Sequence, residues 1–405
     1  LKPRFYTAYW CEGMFSDRSS WSLTPNALSS LLEAKKADGV RILDLTESNP
    51  TQAGFRYNTK EILAALAQPQ SMVYEPNPRG LWKARRAVAD YYQEQGKTID
   101  PDALFLTSGT SEAYTMLFKL LANPGDEVLI PQPGYPLLTY LAEIESLHDV
   151  YYPLRYHEVK GWSIDLDVFE AVITPKTKAV VLVNPNMPTG SYIKRHELAA
   201  LNRICTRHNL ALIVDEVFSD FSCGETPDRV KTVVNHSETL TFVLNGLSKI
   251  LGLPQVKLAW IVVSGNPDLR ELAQDRLEMI TDLYLSVGTP VQHGADLLLR
   301  QRQAMQQQML SRIADNSEFL KGQFAQAANA RLLNREGGWY AVVKIEDHLS
   351  DEQRVLQLLE QDNTLVHPGY FHEFDQEGFI VVSLLTPADA FCEGVSRIAS
   401  RFVRS

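Results

Sequence analysis

Thr241-Phe242-Val243-Leu244-Asn245-Gly246-Leu247-Ser248-Lys249 sets a short apolar run directly before a lysine. Thr241 to Leu244 reads as a strand covered on both faces. An ammonium at the end of such a strand is costly unless something partners or neutralises it. The commonest chemical use of a lysine so placed is as an amine that condenses with a carbonyl.

Working outward, the same kind of run recurs. Leu104 to Thr107, Glu127 to Ile130, Ala179 to Val183, Leu210 to Val214 and Leu258 to Val263 are short, rich in Val, Ile and Leu, and lack polar alternation. Helical patterns such as Ser111 to Ala122 and Lys194 to His208 lie between most of them. This alternation predicts an α/β fold, a mostly parallel sheet covered by helices. Residues 265 to 330 read as mainly helical. The tail, with strands Trp339 to Ile345 and Phe379 to Leu384 and helices near Ser350 to Gln361 and Ala388 to Phe402, suits a smaller α+β domain. The expected division is a large domain over 51–295 and a small one built from 1–50 and 296–405; 405 residues exceed the usual size of one core.

Composition narrows the function classes. A net charge of −10 argues against nucleic acid or anionic membrane as the main partner. Cys11, Cys205, Cys223 and Cys392 are widely spaced and suggest neither a zinc ribbon nor a disulfide framework. No apolar run reaches the roughly 20 residues of a membrane span, and Leu1-Lys2-Pro3-Arg4-Phe5 carries no signal-peptide stretch, so the cytoplasm is the expected location. His367 and His372 flank Pro368-Gly369-Tyr370-Phe371 without acidic or cysteine companions, so no metal is expected there.

In an open α/β sheet, ligands gather beyond the carboxyl ends of the strands. Ser108-Gly109-Thr110-Ser111 follows one such strand and would suit a phosphate dianion, or simply cap the next helix. Tyr135, in Pro133-Gly134-Tyr135-Pro136, would stack on a flat ring, or merely pack. Asp215 ends its strand as a carboxylate in need of a partner: a protonated ring nitrogen, a helix cap or a salt bridge. Lys257 would offset phosphate charge, or sit on the surface. Each signal is modest singly; their order on successive strands raises it.

Together with Tyr74-Glu75-Pro76-Asn77-Pro78-Arg79-Gly80, Asn184-Pro185-Asn186-Met187-Pro188-Thr189-Gly190, Asp215-Glu216-Val217-Phe218 and His367-Pro368-Gly369, these landmarks resemble the class I/II aminotransferases of pyridoxal-phosphate fold type I, from Leu45 to about Phe402. The resemblance implies pyridoxal 5'-phosphate as cofactor, amino and keto acids as substrates, ping-pong transfer through a Lys249 Schiff base, and a homodimer. It implies that Asp215 pairs with the pyridine nitrogen and Tyr135 stacks on the ring. Ser108, Gly109, Thr110, Ser248 and Lys257 would surround the phosphate, and Tyr74 would reach the phosphate of the neighbouring subunit.

The chain also departs from that pattern. Met187 and Phe218 replace the asparagine and tyrosine that donate to the cofactor's phenolic oxygen, Lys257 an arginine, and Gly246 a serine. Without the two donors the Lys249 imine should stay protonated to higher pH. In Phe379-Ile380-Val381-Val382-Ser383, Val381 stands where the family's arginine clamps the substrate carboxylate. Three explanations stay open: the carboxylate is held elsewhere, by Asn49, another arginine or a partner subunit; the substrate is an amine without one; or the chemistry is elimination, decarboxylation or oxidation. The leading expectation is an aminotransferase acting on amino acids. A lyase, oxidase or amine transaminase of the same fold, and a non-catalytic descendant, are the alternatives.

Overall fold

The structure is a computed structural model of the chain, and it describes residues 14–402 except 225, 237, 326 and 328. Cys11 and residues 1–13 of the expected small domain lie outside the described residues.

Eight strands form the large sheet. Their spatial order is Leu104–Thr107, Ala259–Ser264, Thr241–Gly246, Ala211–Asp215, Thr177–Val183, Glu127–Gln132, His148–His157 and Gly161–Ile164. Four neighbouring pairs in the middle are parallel. Ala259–Ser264 runs antiparallel to both its neighbours, and Gly161–Ile164 to His148–His157. All six apolar runs are strands, and their buried patterns explain why they lack alternation. Helices Thr110–Leu121 and Pro267–Tyr284 pack on each other beside this sheet.

A four-stranded antiparallel sheet takes the order Ala330–Leu332, Tyr340–Ile345, Phe379–Ser383 and His367–Pro368. Leu43–Asp44 pairs in parallel with Thr364–Leu365, and Ser383 donates its amide to the Leu45 carbonyl at 2.7 Å. Helix Ala27–Ala37, capped by Asn26 Oδ1 accepting from the Ser29 amide at 2.8 Å, packs on Asp351–Asp362. Residues 27–45 are thus tied to the tail of the chain through backbone pairing and helix packing. Ala388–Phe402 packs along the long helix Arg302–Phe324.

The two sheets meet through loops. Gly190 (φ +68°), at the end of the Asn184–Gly190 turn, comes so close to Gly337 that an added Cβ would sit 2.4 Å from the Gly337 carbonyl oxygen. The Gly134 amide donates to the His372 carbonyl at 3.0 Å. These contacts bring the small sheet over the carboxyl ends of the large one.

Candidate active site

A cavity of about 760 Å³ opens at that junction. Its floor is made by residues at the carboxyl ends of neighbouring strands: Val183, Asp215 and Gly246, with Ala259 beginning the antiparallel strand at the same end. Thr110, Tyr135, Met187, Asp215, Phe218, Ser248 and Lys249 of the residues singled out in the sequence all line it.

Lys249 follows Gly246 in the single helical turn Leu247–Ile250 and opens into the cavity. Its Nζ lies 5.6 Å from the centre of the Phe218 ring and 5.1 Å from that of Trp339. Burial pushes the amine below its ordinary value, and the charge of Asp215 acts in the opposite direction. Asp215 is buried, and burial raises its carboxyl to about 6. The Val217 amide donates to Oδ1 at 3.1 Å and the Tyr114 hydroxyl to Oδ2 at 3.2 Å, which, with Lys249, hold that rise in check. Tyr114 carried no sequence signal beyond being a tyrosine on the buried face of a helix, a position that demands a partner for its hydroxyl.

Ser108 and Gly109 lead into helix Thr110–Leu121, whose N-terminus has no side-chain cap. The Ser108 amide is taken by Glu112 Oε2 at 2.6 Å. Lys257 does not line the cavity, but its Nζ would lie 3.3 Å from a Cβ added to Gly109, so its charge sits at this turn. Gly246 has no room for the serine of the family pattern: an added Cβ would lie 2.8 Å from Ala259 Cβ and 2.9 Å from the Leu258 carbonyl oxygen. Tyr135 is half-buried, and burial lifts its hydroxyl to about 12.

Ser108 and Gly109, like Lys257, border the cavity without lining it, and two further expected residues lie apart from it. Asn49 does not line the cavity: its Oδ1 accepts from the Thr51 amide at 3.1 Å and hydroxyl at 2.7 Å, folding the 49–53 turn, and the preceding residue, Ser48, faces the cavity instead. Tyr74 is 67% exposed and does not line the cavity of its own chain. Sequence reasoning missed Ser48, Tyr340 and Glu373 as wall residues, and passed over His367 and His372, which line the cavity as well.

Residues 40–392 match the family described as aminotransferase class I and II. The chain belongs to the class I and II aminotransferases. It is 28% identical over 358 residues to a glutamate–pyruvate aminotransferase of Haemophilus influenzae, covering 86% of this chain and 87% of the relative. A bovine tyrosine aminotransferase is 25% identical over 404 residues, covering 95% and 89%. An aminotransferase structure from Escherichia coli superposes with a TM-score of 0.81 at 25% identity, covering 94% of this chain and 95% of the other. The alanine aminotransferase of Pyrococcus furiosus shares the fold with a TM-score of 0.86 at 22% identity, over 96% of this chain and all of the other. This aminotransferase therefore has the α/β architecture of its relatives, with the cavity between large sheet and small sheet.

Proposed function

We propose that the cavity holds pyridoxal 5'-phosphate on Lys249 and that the enzyme moves amino groups between amino acids and keto acids in two half-reactions. One observation carries this reading. Lys249 and Asp215 open into the same cavity from adjacent strand ends, and burial shifts both toward their neutral forms. The cofactor fits these residues. A carboxylate desolvated at the floor lacks a full cationic partner, and an uncapped helix N-terminus beside the Lys257 ammonium suits a phosphate.

When bound, pyridoxal phosphate supplies an aldehyde for amines and a ring that draws electrons from the substrate's α-carbon. The protein does the rest. Asp215 would keep a ring nitrogen protonated, with Tyr114 and the Val217 amide fixing the carboxylate. Tyr135, Met187 and Phe218 would sandwich and edge the ring. Ser108, Gly109, Thr110, Ser248 and Lys257 would hold the phosphate. The lowered pKa of Lys249 leaves more of its amine neutral, ready to attack a carbonyl and to take and return the α-proton.

The division into a cofactor-carrying unit over 51–295 and a covering unit from 1–50 and 296–405 is part of the same proposal. So is a homodimer. Met72, Val73 and Tyr74 form an exposed apolar run, 89%, 65% and 67% exposed, beside the Thr289 hydroxyl that anchors Ser71. A partner subunit covering this run would bring Tyr74 to the neighbouring phosphate. Among the described residues no helix is long and apolar enough to cross a membrane, and a cytoplasmic enzyme is the reading we adopt.

Borohydride treatment of the cofactor-loaded enzyme, followed by peptide mass analysis, tests the reading. An adduct on Lys249, its loss in Lys249→Ala, and bleaching of the visible band by L-alanine, L-glutamate or L-phenylalanine are expected. A colourless protein with no adduct would falsify it.

A further inference from the structure

Resting on the aminotransferase reading, we propose that the His367–His372 pair receives the carboxylate of the amino-acid substrate, at the place where Val381 has displaced the family's arginine. The register of the small sheet carries this. Val381 is directly opposite His367 on one side and Val342 on the other. Residues directly opposite in antiparallel strands project from the same face, as do residues two apart on one strand. Tyr340, two before Val342, therefore shares that face, and both Tyr340 and His367 line the cavity. His367 thus occupies the neighbouring position on the surface from which an arginine at 381 would have projected.

The cationic alternatives are few. Among the described residues, no arginine lines the cavity, and Lys249 is the only other side chain there that gains positive charge. Arg312 lies outside the cavity lining, where its Nη1 donates to the carbonyls of Ala53, Leu385 and Thr386, each at 3.3 Å. Arg335 also lies outside it; its Nη1 donates to Gly337 and Gly338 at 3.3 and 3.4 Å, and its buried Nε has no partner.

The pair has an incomplete hydrogen-bond set. His367 Nδ1 and His372 Nε2 are 3.3 Å apart, with the rings stacked at 5.5 Å. His372 is fully buried, and its Nδ1 has no partner. The Gly134 backbone lies on the other side of the His372 ring and favours a proton there. We therefore assign the His372 proton to Nδ1, so that its Nε2 accepts from His367 Nδ1–H. That leaves His367 Nε2 with a lone pair that can take up a proton and then donate it.

The charged surroundings set the pH behaviour. Asp44 faces His367 and favours its charged form against burial. Burial and His367 together push His372 down to about 3. The Phe371 ring packs on His367 and the Tyr340 ring on His372. Glu373 faces Asp149, while Asp351 and Glu352 face Tyr370. Burial favours the neutral form of both imidazoles, so a bound carboxylate draws a proton onto His367, and affinity falls as pH rises.

The test uses the holoenzyme with 3-phenylpropanoate, an unreactive carboxylate, against 3-phenylpropan-1-ol, both read by displacement of the visible band. The carboxylate should bind more tightly, with a preference that shrinks between about pH 5 and about pH 8. His367→Gln should remove both the preference and the slope while leaving the alcohol unaffected. It should raise KM for L-phenylalanine about ten- to hundred-fold, the size of one charge-assisted hydrogen bond, and leave 2-phenylethylamine unchanged. On the unmutated enzyme, an imidazole nitrogen resonance that vanishes in His367→Gln should shift when 3-phenylpropanoate is added. An unchanged preference in His367→Gln, or no response from any of the 9 histidines, overturns the proposal. If no amino acid bleaches the wild-type band, yet 3-phenylpropanoate still binds in a His367-dependent way, the aminotransferase reading falls and the anion site stands.

Discussion

The Tyr114 hydroxyl donates to Asp215 Oδ2 at 3.2 Å, from the second turn of the helix that opens beside the candidate phosphate site. The link couples the helix to the group that would tune the ring. Removing it leaves Asp215 with one fewer donor, so its carboxyl should rise further in Tyr114→Phe. Cofactor affinity should drop about tenfold or more, the worth of a hydrogen bond to a charged group. Absorbance titration of the cofactor-free variant measures it, and an unchanged affinity would remove Tyr114 from the site.

Asp215 also makes a pH prediction for the cofactor-free protein. Its folded pKa of about 6 lies above the ordinary 3.8, so the folded state binds the proton more tightly than the unfolded chain. The associated stability is fully present below 3.8 and is lost as pH rises through about 6. Above that point the buried charge costs about 3 kcal/mol. Asp215→Asn keeps the shape and removes the charge. Its melting temperature should exceed that of the parent by a few degrees at neutral pH, and the difference should close toward pH 4, as read by calorimetry at several pH values.

Lys257, whose backbone lies in the left-handed region (φ +61°), is near enough to the Gly109 turn for a 3.3 Å contact with an added Cβ. As a point charge on phosphate it should matter for affinity and not for folding. Lys257→Ala should weaken cofactor binding about tenfold to a hundredfold with no change in melting temperature. Gly109→Ala should show a smaller loss, since the ammonium need shift by only a few tenths of an ångström. Equal affinities in all three proteins would place the cation elsewhere.

The central strands were legible because both their faces are covered, which leaves an unbroken apolar run. His148–His157 and Gly161–Ile164 went unread for the opposite reason. They form an edge of the sheet, with mixed burial and with Pro153 inside the run. The meeting of Lys249 and Asp215 in one cavity was legible because a charge at the end of a buried strand is anomalous in one dimension. Tyr114, Ser48 and the histidine pair were not. Each gains its meaning from a neighbour 100 residues or more distant in the chain or from strand register, as His367 does from Val381. Asn49 was misread because an asparagine before proline suits a turn as well as a ligand, and the turn holds its oxygen.

Gly246 tests whether a departure from the family pattern is a lost function or a packing choice. Serine there would press its Cβ into Ala259 Cβ at 2.8 Å and the Leu258 carbonyl oxygen at 2.9 Å. Gly246→Ser should therefore cost about 1–3 kcal/mol of stability. Adding Ala259→Gly removes the Cβ clash, leaving Ala259 Cα and the Leu258 oxygen at 2.9 Å, and should restore part of the loss. Chemical denaturation of the single and double variants gives the coupling. Additive losses would mean that Ala259 does not set the glycine.

Phe218 would set the proton balance at a cofactor-linked Lys249. Its ring is buried, 5.2 Å from the Trp339 ring and 5.6 Å from the lysine nitrogen, and offers no donor. Met187, which also lines the cavity, offers none either. Phe218→Tyr would add a hydroxyl able to donate to a phenolic oxygen. Stabilising that oxygen as an anion weakens its hold on the proton it shares with the lysine nitrogen, so the proton should leave at lower pH. The visible band of the loaded enzyme should accordingly change with a midpoint about one pH unit or more below that of the parent. An identical midpoint would mean that position 218 does not face the phenolic oxygen, and the high imine pKa expected from Phe218 and Met187 would lose its structural basis.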